Sequence, residues 1–160
     1  MQKYKDLFKS FFYAFRGIIS TVQTERNMRI HLTCMIYMFS ILGLTDWFVL
    51  SRGDWCMLLI SCSLVLAFEL INTAVENVVD MVTKDYNDFA KKAKDAASGA
   101  VLVCAIFAVI VGFIILLQPE AFHQMYLYFK NHLLSFVIFI LSILTATLFI
   151  FFGFPCKNKK

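Results

Sequence analysis

The sequence predicts an all-α integral membrane protein with an N-terminal amphipathic surface helix, a three-span core and an extra fourth span at the C-terminus. Of the 160 residues, 60% are hydrophobic and 16% charged, with a mean hydropathy of +0.72. A soluble domain of this size carries more charge. The apolar residues form long continuous runs that do not alternate with polar ones, so helices are the expected spanning form.

Residues 1–29 make up the first predicted unit, an interfacial helix followed by the start of the first span. Bulky apolar residues recur there at helical spacing, between lysines and arginines: Leu7, Phe8, Phe11, Phe12, Phe15, Ile18 and Ile19. This pattern is typical of a helix that lies in the membrane interface with its aromatic rings in the acyl boundary. A simple anchor would have the same pattern.

Four apolar runs follow, each long enough for a bilayer core, which needs about 20 residues. Residues 30–117 form the three-helix core, with predicted spans Ile30–Leu50, Trp55–Val82 and Ala93–Leu117. Residues 118–160 comprise an external loop, a fourth span Leu133–Phe154 without ionisable residues, and a basic tail. We interpret the fourth span as a packing or assembly element.

The basic residues predict the orientation in the membrane. Of the 15 lysines and arginines, all but Arg52 and Lys130 fall before the first span, in the 83–95 loop or in the tail. The positive-inside rule places those three segments in the cytoplasm. We therefore attribute the net charge of +4 to basic segments that face anionic lipid headgroups. Nucleic acid is not an expected partner, because no basic soluble module is present.

The second span carries a polar stripe in the stretch FELINTAVENVVD. Glu69, Asn72, Glu76 and Asp80 fall within an arc of roughly 80° at about 100° per residue. Glu69 lies roughly 21 Å along the helix from Trp55, near the cytoplasmic edge of a hydrocarbon core about 30 Å thick. Polar residues at this depth usually face a protein interior and serve a function. The alternative is that the C-terminal end of this helix extends out of the membrane into water.

Two more polar clusters are expected at the same level. TERNMRIH places Glu25 just before the first span, and KKAKDAASGA places Lys94 and Asp95 at the start of the third. The small residues after Asp95 allow close helix contact, which would bring Lys94 and Asp95 toward Glu76. His31 also lies near this face, where we interpret it as a core or lipid-contact residue.

The three clusters together predict phosphoryl transfer from a nucleotide to a lipid alcohol. Mg²⁺ is usually held by one or two carboxylates and by substrate phosphates, and lysine neutralises phosphate oxygens. A carboxylate in an apolar setting is suited to general-base work, and Glu69 lies at the depth of a lipid hydroxyl. Neither a P-loop nor a kinase-type glycine-rich loop occurs in the sequence.

The stretch ELINTAVENVVD, followed by AKDAASGAV and preceded by TERN, resembles the prokaryotic diacylglycerol kinase and undecaprenol kinase family. The resemblance covers about residues 5–117. It implies a small three-span kinase of the bacterial cytoplasmic membrane that uses MgATP without a P-loop. It also implies a homotrimer with active sites at the subunit boundaries, on the cytoplasmic face.

By this resemblance, Glu69 is the catalytic base and contacts the lipid substrate together with Ser98. Glu25 and Glu76 bind Mg²⁺ and the nucleotide. Further nucleotide contacts are implied for Tyr13, Asp85, Tyr86, Asn87, Lys94 and Asp95, and supporting roles for Asn72 and Asp80. In one departure, Asp6 stands where the family often has arginine.

TERN with AKDAASGAV resembles the Gram-positive branch, which implies undecaprenol as the substrate and undecaprenyl phosphate as the product. Diacylglycerol kinase activity, which yields phosphatidic acid, is the alternative. A more distant alternative is a small four-span transporter. A transporter would more naturally carry one glutamate in the middle of the first span, and would not require Glu25 or the Lys94–Asp95 pair.

Overall fold

The structure is a computed structural model that describes residues 2–153, which contain six helices and no strand. Lys157, Lys159 and Lys160 of the basic tail, and the predicted end of the fourth span at Phe154, lie outside the described residues. The helices are α1 Gln2–Thr24, α2 Arg26–Leu44, α3 Arg52–Val82, α4 Asp88–Leu116, α5 Pro119–Asn131 and α6 Leu133–Phe152.

Among the described residues, three helices are long and apolar enough to cross a membrane: α3, α4 and α6. The predicted first span Ile30–Leu50 begins within α2 but extends beyond it, because α2 ends at Leu44. Thr45 ends the helix: its backbone is extended, and its hydroxyl donates to the Ile41 carbonyl at 2.7 Å. Helix α2 is not among these three candidate spans because its first turn is polar.

Helices α3 and α4 pack against each other as an antiparallel hairpin, the main interhelical contact of the fold. A capping box starts α3, in which Ser51 and Asp54 each bond the other's backbone N–H. Asn87 starts α4, since its side-chain oxygen accepts the N–H groups of Phe89 and Ala90. This cap explains why α4 begins at Asp88, earlier than the predicted Ala93.

The predicted external loop after residue 117 is largely a helix, α5. Pro119 at its first position, Glu120 in its first turn and Lys130 in its last turn suit helix ends. Its aromatic residues pack on the chain that follows α2, with the Trp47 ring centroid 5.4 Å from that of Tyr128. The connection between the third and fourth predicted spans is therefore helical over most of its length.

Helix α6 packs antiparallel to α2. The Tyr37 hydroxyl donates to Ser142 Oγ at 2.9 Å, and the Tyr37 and Phe139 rings meet edge to face. Further along, the Ile150 carbonyl lies 3.0 Å from Arg29 Nε. The end of α6 therefore lies at the same end of the bundle as the start of α2.

Arg29 is buried where three helix ends meet, with only 6% of its surface exposed. Its Nη1 donates to the carbonyls of Val22 and Gln23, both at 3.1 Å, and its Nε donates to that of Ile150. These carbonyls belong to the last turns of α1 and α6, where no intrahelical partner exists. A guanidinium there complements both helix dipoles, so Arg29 holds α1, α2 and α6 together.

Candidate active site

The polar stripe of α3 changes from buried to exposed along its length. Glu69 is 2% exposed and Asn72 8%, whereas Glu76 is partly exposed and Asp80 is on the surface. Residues three and four apart share one helix face, so the four side chains form a line from the interior of the bundle to its end. A group bound at Glu69 is thus shielded from solvent, while one at Glu76 is not.

Asn72 links the buried and exposed parts of the stripe. Its Nδ2 donates to Glu76 Oε1 at 2.9 Å. Its own Oδ1 is buried without a hydrogen-bond partner, as is Glu69 Oε1. Buried polar atoms normally find a partner, so these two acceptors can each take a hydrogen bond from a donor that enters the site.

A cavity of about 280 Å³ adjoins these two acceptors, between α2, α3 and α4. Glu69, Asn72 and Ser98 all line it, so the predicted base and the predicted lipid-site serine share one space. Asn27 and His31 close the cavity from α2. The wall is otherwise apolar, and the space could hold the alcohol end of a lipid.

Glu25 lies at the junction of α1 and α2, where its backbone is extended and its carboxylate caps no helix N–H. The carboxylates of Glu25 and Glu76 are both close enough to Glu69 to interact with it electrostatically. Among the described residues, no lysine or arginine forms an ion pair with any of the three. Such a like-charge group favours a bound cation.

Glu25 and Glu76 fit a Mg²⁺ site that is completed by the substrate. Within residues 2–153, no group of three or more His, Cys, Asp or Glu side chains is placed to hold a metal. Mg²⁺ does not need one, since one or two carboxylates with waters and substrate phosphates commonly suffice. Glu25 and Glu76, both partly exposed, offer two such carboxylates.

Lys94 lies against α3 but forms no ion pair with Glu76. α4 packs along α3, but the Lys94 ammonium pairs with the Asp80 carboxylate, about one helical turn beyond Glu76. Asp95, the next residue along α4, is exposed, and its carboxylate forms no ion pair among the described residues. The register of the hairpin therefore places the predicted nucleotide lysine nearer the end of the bundle.

The other predicted nucleotide residues lie on α1 and around the α3–α4 loop, where they are exposed. Tyr13 is 62% exposed on α1, where its ring touches Phe12. Around the α3–α4 loop, the Asp85 carbonyl accepts the Thr83 hydroxyl, and Asn87 caps α4. The Tyr86 hydroxyl donates to Asp88, which raises the pKa of Tyr86. All four side chains are therefore accessible from outside the bundle.

The sequence interpretation did not predict the contact of His31 or the burial of Arg29. The structure places His31 Nε2 3.3 Å from Glu69 Oε1, so the imidazole borders the candidate base. A signal was available: Asn27 and His31 are spaced four apart at the start of α2 and thus share one face. No local pattern marks Arg29 as buried, because its carbonyl partners are distant in sequence.

The comparison with known proteins identifies the family of the chain. Residues 12–116 match the family described as prokaryotic diacylglycerol kinase. The chain belongs to this family. It is therefore a membrane enzyme that phosphorylates a lipid. The match ends at the last residue of α4, so α5 and α6 lie outside it.

Relatives with two different names are similar to this chain. It is 39% identical to the undecaprenol kinase of Bacillus subtilis over 110 residues, which cover 69% of this chain and 87% of the relative. It is 43% identical to the diacylglycerol kinase of Synechocystis over 115 residues, which cover 71% and 64%. The diacylglycerol kinase of Helicobacter pylori J99 is 34% identical over 104 residues, 65% and 79% of the two chains.

Proposed function

We propose that this protein is an undecaprenol kinase, which transfers the γ-phosphoryl group of ATP to undecaprenol and yields undecaprenyl phosphate. The observation that carries the proposal is the buried Glu69 carboxylate, which shares a cavity with Ser98 and lies two helical turns from the half-exposed Glu76. The similarity to the Bacillus subtilis undecaprenol kinase, which covers 87% of that relative, favours this substrate.

In the proposed reaction Glu69 acts as the general base. Its unpaired Oε1 accepts the proton of the lipid hydroxyl, and the alcohol oxygen then attacks the γ-phosphorus while ADP leaves. Glu69 and Glu76 are about 10 Å apart along the helix axis, so the alcohol and the β- and γ-phosphates can lie between them. Asn72, bonded to Glu76, holds the carboxylate nearest the phosphates in place.

Glu25 and Glu76 would hold Mg²⁺, which neutralises charge on the phosphate oxygens when bound. Lys94 would contact the transferred phosphate, and Asp80 holds its ammonium at the end of the site in the free enzyme. Tyr13, Asp85, Tyr86, Asn87 and Asp95 would complete the nucleotide site from the exposed side. The buried end of the site, at Glu69, excludes water that would otherwise compete with the lipid alcohol for the phosphoryl group.

We further propose that the site faces the cytoplasm and is shared between subunits of a homotrimer. The clustering of lysines and arginines supports cytoplasmic N- and C-termini, and a cytoplasmic 83–95 loop. Tyr13 and Asp95 are both exposed on the single chain. This exposure leaves them accessible to a nucleotide site that a neighbouring subunit completes.

Transfer of radiolabelled phosphate from ATP to purified lipid alcohols tests the proposal. The protein in mixed micelles with Mg²⁺ should label undecaprenol in preference to diacylglycerol. Glu69→Gln should lower the rate by about 10²- to 10⁴-fold, the usual contribution of a general base, whereas Glu120→Gln on α5 should leave it unchanged. No transfer to any lipid alcohol would refute the kinase assignment, and unaltered transfer by Glu69→Gln would refute the base.

Two alternatives differ in what they predict. Diacylglycerol kinases are among the similar proteins, so a preference for diacylglycerol in the same assay would assign that activity instead. A transporter is disfavoured because α2 carries no aspartate or glutamate within its helix, where such a protein would more naturally place its membrane-embedded glutamate.

A further inference from the structure

The orientation of the Glu69 carboxylate depends on a residue outside α3. Along α3, the Thr73 hydroxyl donates to the Glu69 backbone carbonyl and the Asn72 amide donates to Glu76. Neither side chain therefore holds the carboxylate of Glu69. The nearest polar atom recorded is His31 Nε2 on α2, 3.3 Å from Oε1. This contact lies within reach of a hydrogen bond but lacks its full alignment.

His31 also lies where two cavities join. The 280 Å³ cavity that holds Glu69 and Ser98 shares Ile30, His31 and Ala105 with a second cavity of about 400 Å³. The second cavity continues between α2, α3 and α4, lined by apolar residues that include Met38 and Gly112. His31 and Met38 are seven residues apart, so the groove extends about 10 Å along the helices from the histidine.

The direction of this groove suits a lipid chain that ends in an alcohol. α2 and α4 run away from the carboxylate end of the site as their residue numbers rise, and Met38 and Gly112 lie on that side of His31. A chain that fills the apolar groove would therefore bring its terminal hydroxyl past the imidazole and onto Glu69. The imidazole edge stands at the boundary between the apolar and the polar cavity.

We propose that His31 is a positioning residue for Glu69, which rests on the proposed role of Glu69 as general base. The neutral imidazole, in its Nε2–H tautomer, donates to Glu69 Oε1 and fixes the carboxylate at the mouth of the apolar groove. The hydrogen bond becomes aligned when a lipid alcohol fills the site, as catalytic hydrogen bonds often do only in the substrate complex. His31 itself exchanges no proton with the substrate.

Steady-state kinetics of full-length His31→Gln and His31→Leu test this role in the lipid kinase assay. A glutamine amide can donate from nearly the same place, whereas leucine cannot. His31→Leu should lower kcat about ten- to a hundredfold, the effect of losing a hydrogen bond to a charged group. The KM for MgATP should remain that of the wild type, and His31→Gln should keep most of kcat. The matched control is His123→Leu, on exposed α5, which should be unchanged.

A second measurement reports the contact without catalysis. With a lipid alcohol bound and ATP absent, the ¹⁵N chemical shifts of the His31 ring should show the Nε2–H tautomer and should change in Glu69→Leu, which removes the acceptor. Unchanged ring shifts would refute the contact. Equal losses of kcat in His31→Gln and His31→Leu, or a change confined to the KM for lipid, would refute the positioning role.

The two proposals fail in different ways. If the wild-type protein phosphorylates no lipid alcohol, the proposed function is wrong. The contact between His31 and Glu69 would then have no catalytic role, even if the ring shifts show that it exists. Active wild-type protein with an equally active His31→Leu would overturn the role of His31 and leave the kinase assignment intact.

Discussion

Replacing Arg29 with methionine should destabilise the protein more than any other single change of a charged residue described above. Methionine keeps the apolar stem but removes the guanidinium, so the carbonyls of Val22, Gln23 and Ile150 lose their donor. Each hydrogen bond to a charged group contributes about 1.5 kcal/mol or more. The three bonds share one group and are not additive, so we expect a loss of about 3 to 5 kcal/mol.

The assay is unfolding in mixed micelles with increasing SDS, followed by near-ultraviolet circular dichroism. Arg29→Lys should recover part of the loss, because an ammonium can donate to these carbonyls but lacks the planar fork. Hydrogen exchange gives a local readout, since the last turn of α6, including the Gly153 N–H that donates to Phe149 at 2.9 Å, should exchange faster.

Arg26 provides the matched control, as an exposed arginine in the same first turn of α2. Arg26→Met should change the free energy of unfolding by no more than about 0.5 kcal/mol. An equally small effect of Arg29→Met, with unchanged exchange at the end of α6, would show that the buried guanidinium does not hold the helix ends together.

Three further predictions concern the site. Asn72→Leu removes the amide that holds Glu76, so the Mg²⁺ concentration for half-maximal activity should rise about 10- to 100-fold; an unchanged requirement would contradict this. Asp80→Asn should change stability by about 1 kcal/mol or less, because its ion pair with Lys94 is exposed, and a large shift in SDS unfolding would show otherwise. Asn87→Ala should lower the free energy of unfolding by about 1 kcal/mol even without nucleotide, because it removes a helix cap. SDS unfolding without ATP measures this loss.

Features set by short-range pattern were predictable from the sequence. The long apolar runs predicted α3, α4 and α6, and helical periodicity predicted that Glu69 and Asn72 share one helix face. The order of burial along this stripe also followed, since each helical turn moves a residue about 5.4 Å along the axis. These properties depend on residues within a few turns of one another.

Features set by distant contacts were not predictable. The neighbours of Arg29 include a carbonyl 121 residues away, so its sequence context is that of an ordinary flanking charge. The contact of His31 with Glu69 depends on how α2 is rotated against α3. The register that pairs Lys94 with Asp80 depends on the short connection from α3 to α4 and on the Asn87 cap. Spacing along the chain does not encode these rotations and offsets.

The Arg29 contact also has a consequence for biosynthesis. Arg29 leaves the ribosome 121 residues before Ile150, whose carbonyl it binds. At about 5 to 20 residues per second, roughly 6 to 24 s separate the two. During that interval the guanidinium lacks one of its acceptors, so the hydrated membrane interface is its most favourable location. The last helix to be synthesised thus completes the burial of a charge from the start of α2, and a chain that stopped after α5 would leave that charge only partly satisfied.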